Sequence, residues 1–437
     1  MRSVKPLLTL TTVLVGLGIV AGITREVLLA RLLGTGPELE QFRLAFAIPN
    51  LFATSLGATL VAALVPFALT NRDDDEGEAD ALRRLSAASL ILGAILAATG
   101  AATAHWQAAL LAPGFDETRR DALSAQIAWL WGYFALVAST FGVRAFLSAR
   151  SIIWPAASIG LVLGGTMALG LGVLTVFPAT KLDANGLVIL AIGAALVLLA
   201  VHIRAVPSRL WRLAASRNGT TTGGWTWRMG WAAIVAVAAH SISSAPRLID
   251  RAIGTELAPG VVAALDFSFA VITVPGLIFG TALATALLPG LAAARASGDR
   301  RLEGSSVSWI LAVSIVAGIV GLGIAAGSTE IVDLLFRGGA FDATSADMTA
   351  RLLSWHAGSL GPMVASFVLF QVLLVRGQLM LLLVVASARV AAKWLAVHLL
   401  VPEYGLDGLA ASFLAPEIVS TMLLATAAWL TRGVRGR

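Results

Sequence analysis

Arg389 and Lys393 stand four residues apart in a stretch dominated by alanine, leucine and valine. On a helix that spacing makes one basic stripe. Glu417, directly after Pro416, sits in the middle of the last apolar stretch, and Asp266 sits at the start of another. Arg25 and Glu26 end the first such stretch, and Asp250 and Arg251 hold the matching place in the seventh. Ionisable groups in apolar spans cost about 2.5–3.5 kcal/mol at the centre on insertion scales, so they usually face a wet cavity or an opposite charge. Guanidinium forks suit phosphate oxygens because they donate two parallel hydrogen bonds. Arg25, Arg251, Arg389 and Lys393 are therefore candidates for holding an anionic group. Asp250, Asp266 and Glu417 are candidates for coupling to a cation. The plainer reading of Glu26 and Asp250 is a salt bridge to a sequence neighbour at an outer rim. Glu417 reads first as the partner of Lys393, because one acid is a thin basis for a cation site. Arg43, near the start of the second span, reads as snorkelling to the interface.

Other chemistries are excluded by what the chain lacks. It has no cysteine, so disulfides, zinc thiolates, iron–sulfur clusters and cysteine nucleophiles are ruled out. There is no phosphate-binding Gly-x-x-x-x-Gly-Lys-Ser/Thr loop and no pair of histidines at metal spacing. The five histidines are scattered and read as structural. The reading is of a protein that is not an enzyme and carries no cofactor or metal. Any uphill movement must draw on an ion gradient or on the membrane potential, worth ~2.3 kcal/mol per charge per 100 mV.

The elements that position these charges follow from composition. Of 437 residues, 58% are hydrophobic and 13% charged, with a mean hydropathy of +0.86. Soluble domains carry about 25% charged residues, so a water-surrounded globule is excluded. A helix needs about 20 apolar residues to cross some 30 Å of hydrocarbon. Such runs occur near 6–24, 44–70, 86–111, 124–147, 152–178 and 186–206, then near 229–248, 262–293, 306–327, 352–375, 378–401 and 408–430. The expectation is an all-α integral membrane protein of about twelve spans. The net charge of +6 reads as topology rather than a nucleic-acid footprint. Arg83, Arg84, Arg150, Arg204, Arg209, Arg212, Arg300 and Arg301 all fall on one side if the N-terminus is inside. By the positive-inside rule both termini are then cytoplasmic.

The segment 207–228 is the expected boundary between an N-terminal lobe, 1–206, and a C-terminal lobe, 229–437. Its basic and apolar alternation suits a short interfacial helix, with Trp211, Trp225, Trp227 and Trp231 at headgroup level. Arg25 and Arg251, Gly34 and Gly260, Pro49 and Pro275, and Phe115-Asp116 and Phe341-Asp342 are all 226 residues apart. This order points to an internal repeat. Six spans is an even number, so the repeats are parallel lobes around a central cavity, a transporter plan. Pro49 and Pro275 are the hinge candidates. Gly18-x-x-x-Gly22, Gly160-x-x-x-Gly164 and Gly323-x-x-x-Gly327 read as sites of close helix packing.

Three segments carry a family resemblance. Thr24-Arg-Glu-Val-Leu-Leu-Ala-Arg-Leu-Leu-Gly34 with Phe46-Ala-Ile-Pro-Asn50, Gly280-Thr-Ala-Leu-Ala-Thr-Ala-Leu-Leu-Pro289, and Leu334-Leu-Phe-Arg-Gly-Gly-Ala-Phe-Asp342 resemble the MurJ/MviN-type lipid II flippases. That family belongs to the multidrug/oligosaccharidyl-lipid/polysaccharide exporter superfamily. The resemblance implies outward movement of undecaprenyl-diphosphate-linked muropeptide for peptidoglycan synthesis in the cytoplasmic membrane. It also implies substrate-binding roles for Arg25, Glu40 and Asn50, and cell-wall synthesis proteins as partners. The family's other cavity arginines fall on Ile19, Ala53-Thr54 and Ala270 here. The expected function is flipping of a polyprenyl-diphosphate-linked glycan by alternating access. A flippase for another lipid-linked saccharide, a cation-coupled exporter of amphipathic drugs and a non-transporting cell-wall scaffold stay open beside it. No nucleic acid is expected among the partners.

Overall fold

The protein, seen in a computed structural model, is described over residues 4–69, 75–176, 182–216, 227–297 and 300–431. These residues are helical almost throughout, and the sole pairing of extended type among them is an isolated bridge between Gly338 and Phe341. Eight of the described helices are long and apolar enough to cross a membrane, or nine if one bent pair counts as a single span. Where described, the apolar runs read from the sequence lie mainly on helices, several of them divided between two. Large apolar side chains such as Leu90, Ile95, Leu169, Ile189, Ile315, Ile319 and Met422 point outward, as expected where the solvent is hydrocarbon. This is a multi-pass α-helical membrane protein.

The chain packs as two compact units, Met1–Val237 and Ala238–Arg437. In the first, α1 (Val4–Leu33) is followed by α2 (Pro37–Leu69), α3 (Asp75–Ala102), α4 (Ala104–Leu111), α5 (Glu117–Ala149), α6 (Trp154–Ala157), α7 (Ile159–Val176), α8 (Ala184–Ala205) and α9 (Ser208–Ser216). The α9 helix is the short basic helix expected at the boundary. An Arg209–Asp75 ion pair at 3.0 Å ties it to α3, and Trp211 Nε1 donates to the Ile203 carbonyl at 3.1 Å. Trp225 lies outside the described residues. The second unit continues from α10 (Trp227–Ser244), which spans the division, through α11 (Pro246–Leu257), α12 (Val261–Ser297), α13 (Arg300–Ala326), α14 (Ser328–Phe336), α15 (Ala343–Gly358), α16 (Leu360–Val375), α17 (Leu379–Ala411) and α18 (Leu414–Leu430).

The sequence repeat has a local structural counterpart. Gly34 directly follows α1 with φ of 58°, the left-handed backbone that ends a helix at little cost only for glycine, and its repeat mate Gly260 stands directly before α12 with φ of 88°. Asp116 and Asp342 cap α5 and α15, each accepting a backbone N–H at 2.8 Å, from Arg119 and Ser345. The Ser345 N–H holds the Asp342 carboxyl below its ordinary pKa. Both units contain broken helices: in the first, α3 and α4 meet at Thr103 and α6 and α7 at Ser158. The α5 helix runs unbroken for 33 residues, whereas α15 and α16 meet at Ser359 with a 52° bend. Pro246 starts α11 after a break at Ala245, and α17 kinks at Gly405 (φ 53°), three residues after Pro402. Pro49 and Pro275 lie inside α2 and α12, which continue through them.

Glycine sets the tightest helix contacts. A Cβ on Gly18 of α1 would stand 2.9 Å from the Leu161 nitrogen of α7, and one on Gly164 of α7 would stand 3.1 Å from the Gly22 nitrogen. The first two Gly-x-x-x-Gly motifs are thus one seam, pressed against each other. The third is not a packing site: Gly323 has nothing within 4 Å, and Gly327 meets only atoms of its immediate chain neighbourhood. Its neighbour Gly321 makes the close approach instead, against the Ala357 carbonyl.

Gly142 and Gly132 of α5 give a matched test. A Cβ on Gly142 would collide with the Leu85 backbone of α3, while Gly132 faces open space. Gly142→Ala is expected to destabilise by about 1–3 kcal/mol through overpacking, and Gly132→Ala to stabilise by about 0.5–1 kcal/mol through helix propensity. Thermal unfolding in detergent compares the two; equal shifts would contradict the α3–α5 contact.

Candidate functional site: charge clusters within each unit

In the first unit one carboxylate serves two guanidinium groups. Glu26 on α1 is 4% exposed. Arg25 donates to its Oε1 from Nε at 3.0 Å and from Nη2 at 2.5 Å. Arg43, reaching from α2, donates from Nη1 to Oε1 at 3.4 Å and pairs closely with Oε2 through Nη2. The three groups carry a formal surplus of one positive charge. Arg43 is therefore a counter-ion of Glu26 rather than a snorkelling side chain, because α1 and α2 meet at this level and bring the carboxylate within reach. Arg25 keeps 26% of its side chain exposed, and its Nη1 has no hydrogen-bond partner among the described residues.

Glu40 and Asn50 lie on α2 at some distance in sequence from that pair. Glu40 is 1% exposed and faces Arg119 of α5 at 3.6 Å, while the Arg119 guanidinium also covers the Phe115 ring at 3.8 Å. Glu40 thus joins α2 to α5. Asn50 is half-buried, and its carbonyl accepts from Thr54 Oγ1 at 3.0 Å.

The second unit holds a larger cluster, drawn from α11, α12, α15, α17 and α18. On α11, Arg247, Asp250 and Arg251 have i, i+3, i+4 spacing and share one face. Arg251 Nη2 donates to Asp266 Oδ1 of α12 at 2.7 Å. Lys393 is completely buried; its ammonium is ion-paired with Asp250, donates to Ser412 Oγ and lies 4.7 Å from the centre of the Phe413 ring. Arg389 grips Glu417 through both terminal nitrogens, Nη1 to Oε2 at 3.1 Å and Nη2 close to Oε1. His356 stacks on Phe413 with ring centres 3.5 Å apart, and its Nδ1 is 3.0 Å from Ser268 Oγ. The Arg247 guanidinium lies 3.7 Å above the Phe269 ring.

These contacts revise the pairings read from the sequence. Glu417 pairs with Arg389 and not with Lys393, because α17 and α18 run antiparallel: Lys393 is level with Ser412, so the residue one turn before Lys393 meets the residue beyond Ser412. Asp250 turns to Lys393 rather than to its neighbour Arg251, which takes Asp266. Arg247, His356, Ser412 and Phe413 were not singled out by sequence. Arg247 had a usable signal, since it precedes Arg251 by the same four residues that separate Arg389 from Lys393.

A small, partly open pocket lies among these groups, lined by Arg247, Asp250, His356, Ser359, Arg389 and Glu417 with apolar walls from Phe269, Ile272, Met363 and Phe413. A second small pocket shares Arg247, Asp250, Phe269 and His356 and adds Arg251 and Asp266. Pro246 and Ser359, where helices break, line the first pocket. Irregular backbone at membrane depth is tolerated where it borders such a cavity.

Removing one member of a buried ion pair leaves the other charge uncompensated, at a cost of about 3–5 kcal/mol. Lys393→Met is expected to lose that much stability, and the Lys393→Met/Asp250→Asn double variant to recover most of it. Equilibrium unfolding in mixed detergent micelles measures both, and a single variant as stable as the parent would contradict the pairing.

The chain can now be set beside known proteins. A model of the family described as "MurJ: Lipid II flippase MurJ" matches residues 29–432. The lipid II flippase MurJ of Burkholderia cenocepacia is 25% identical over 352 residues, covering 77% of this chain and 66% of that protein. The probable lipid II flippase MurJ of Rhizobium tropici is 25% identical over 352 residues, covering 76% of this chain and 63% of that protein. The aligned part thus spans just under two thirds of these relatives' own length. A solved lipid II flippase MurJ in an inward closed conformation superimposes with a TM-score of 0.78 at 14% identity, covering 96% of this chain and 87% of that one. An inward-facing multidrug resistance MATE family transporter of the MOP superfamily gives a TM-score of 0.67 at 13% identity, covering 94% of each chain. Those two likenesses show a shared fold; the match from residue 29 to residue 432 shows that the chain belongs to the MurJ lipid II flippase family.

Proposed function

We propose that the protein flips a polyprenyl-diphosphate-linked glycan, a lipid II-like peptidoglycan precursor, outward across the cytoplasmic membrane by alternating access. The family match over nearly the whole chain carries this reading. In this reading 1–206 and 229–437 are the two moving lobes, bending at Pro49 and Pro275, with both termini cytoplasmic. No cofactor is used, and the drive is the membrane potential or an ion gradient. Cell-wall synthesis proteins are the expected neighbours.

Arg25 is the residue proposed to receive the diphosphate. Its partial exposure and uncommitted Nη1 support the role. Glu26 holds Arg25 in place through two hydrogen bonds while neutralising only one of two cations. Asp250, Asp266 and Glu417 each face a basic side chain, which supports reading them as counter-charges rather than as ligands for a coupling cation. A second reading, transport of a different lipid-linked saccharide, is favoured by one observation. Ile19, Ala53-Thr54 and Ala270 are uncharged where the resemblance would place arginines.

Vesicles reconstituted with fluorescently labelled lipid II and, separately, with a labelled polyprenyl-linked glycan lacking peptide distinguish the two. Wild-type protein is expected to expose labelled lipid II to an outside quencher. Arg25→Ala is expected to abolish that exposure while inserting normally. Retained flipping by Arg25→Ala would remove the proposed role, and exposure of the second lipid alone would select the second reading.

A further inference from the structure

The second unit contains four basic and three acidic side chains around its pocket, and the pairing leaves one cation over. Lys393 is committed to Asp250, Arg251 to Asp266 and Arg389 to Glu417. Arg247 makes no ion pair and no hydrogen bond through its guanidinium among the described residues; its one strong contact is with the face of the Phe269 ring. Stacking uses only the face of the guanidinium, so the N–H groups around its edge stay free to donate. The side chain is exposed, and it borders both pockets.

From this geometry we propose that Arg247 is the anion receptor of the second unit, taking the terminal oxygens of a phosphate or diphosphate. The three carboxylates that would repel such a group are already matched by their own cations, so an entering oxyanion meets a net positive pocket. The fork can offer two parallel hydrogen bonds to two oxygens, and Arg389, paired with Glu417, borders the same cavity. Phe269, Ile272, Met363 and Phe413 supply apolar surface beside it, which suits the first isoprene unit of a prenyl diphosphate better than a fully hydrated ion. The proposal rests on the flippase reading for the source of that ligand, although the site itself is defined by charge and stacking alone.

Calorimetric titration of the full-length protein in lipid nanodiscs, with farnesyl diphosphate and with inorganic pyrophosphate as probes, tests it. Arg247→Gln is expected to weaken farnesyl diphosphate binding ~10–100-fold, the range for a charge-assisted contact, and Arg247→Lys to weaken it less. The removal strands no buried acid, so the melting temperature is expected to stay within a few degrees of the parent. Arg337→Gln is the control, since Arg337 is exposed and held by Asp333 away from both pockets. Tighter binding of farnesyl diphosphate than pyrophosphate assigns the site to a lipid headgroup, and equal binding assigns it to a free oxyanion; both support the receptor. Unchanged binding of both probes by Arg247→Gln, or an equal loss in Arg337→Gln, overturns it. Binding that depends on Arg247 in a protein that moves no labelled lipid II would sink the flippase reading and leave the site standing. Flipping by a parent protein whose binding ignores Arg247 would do the reverse.

Discussion

A charge inside a bilayer must find an opposite charge, a dipole or water, and this requirement organises the polar chemistry of the protein. Lys393 shows it most plainly. Its ammonium is wholly buried, and Asp250, Ser412 and the Phe413 face together replace the water it has lost. Those partners come from α11, the turn after α17 and the start of α18. The helices are thereby fixed in one register, because sliding any of them by a turn would strand a charge. Buried pairs of this kind add little net stability over apolar packing, but breaking one is expensive. They act here as specificity devices that determine which helix faces meet.

Neutralisation also decides what is left for function. In the first unit Glu26 is shared by Arg25 and Arg43, and in the second three acids answer four bases. In each cluster one guanidinium keeps donors accessible: Arg25 in one, Arg247 in the other. A set of fully paired charges would be inert scaffolding. A set of unpaired ones would not insert. The intermediate arrangement keeps the electrostatic cost low while leaving guanidinium donors uncommitted.

Backbone geometry serves the same end. The straight α5 and the glycine seam between α1 and α7 make the first unit a tightly packed bundle, in which Gly18 and Gly164 let backbones approach within van der Waals contact. The second unit breaks its helices at Ala245-Pro246, Ser359 and Gly405. Two of these breaks border the pocket, where freed backbone groups have polar company. Pro49 and Pro275, in contrast, are carried within uninterrupted helices. Cores of Leu64, Leu85 and Phe146 in one unit and of Leu369, Leu373 and Leu382 in the other hold the surrounding helices rigid.

The linear order of residues determined that the chain is α-helical and membrane-bound, since length and apolarity of a run are local properties that no folding can alter. It also determined the repeat. Gly34 ends α1, Gly260 turns the chain into α12, and Asp116 and Asp342 begin α5 and α15, for reasons contained within a few neighbouring residues. Family membership was legible in short motifs for the same reason. Which acid meets which base was not legible. Glu417 and Lys393 lie in adjacent apolar stretches of the sequence, yet an antiparallel register offset by one turn gives Glu417 to Arg389. Arg43 was assigned to the interface because nothing local revealed Glu26 across α1. The spacing of Arg247 from Arg251 marks it as sharing a helix face, but that it is left without an ion pair is not visible in the sequence. Pairing is a three-dimensional property: it depends on the angle and register at which helices distant in sequence cross, and only the folded arrangement supplies those.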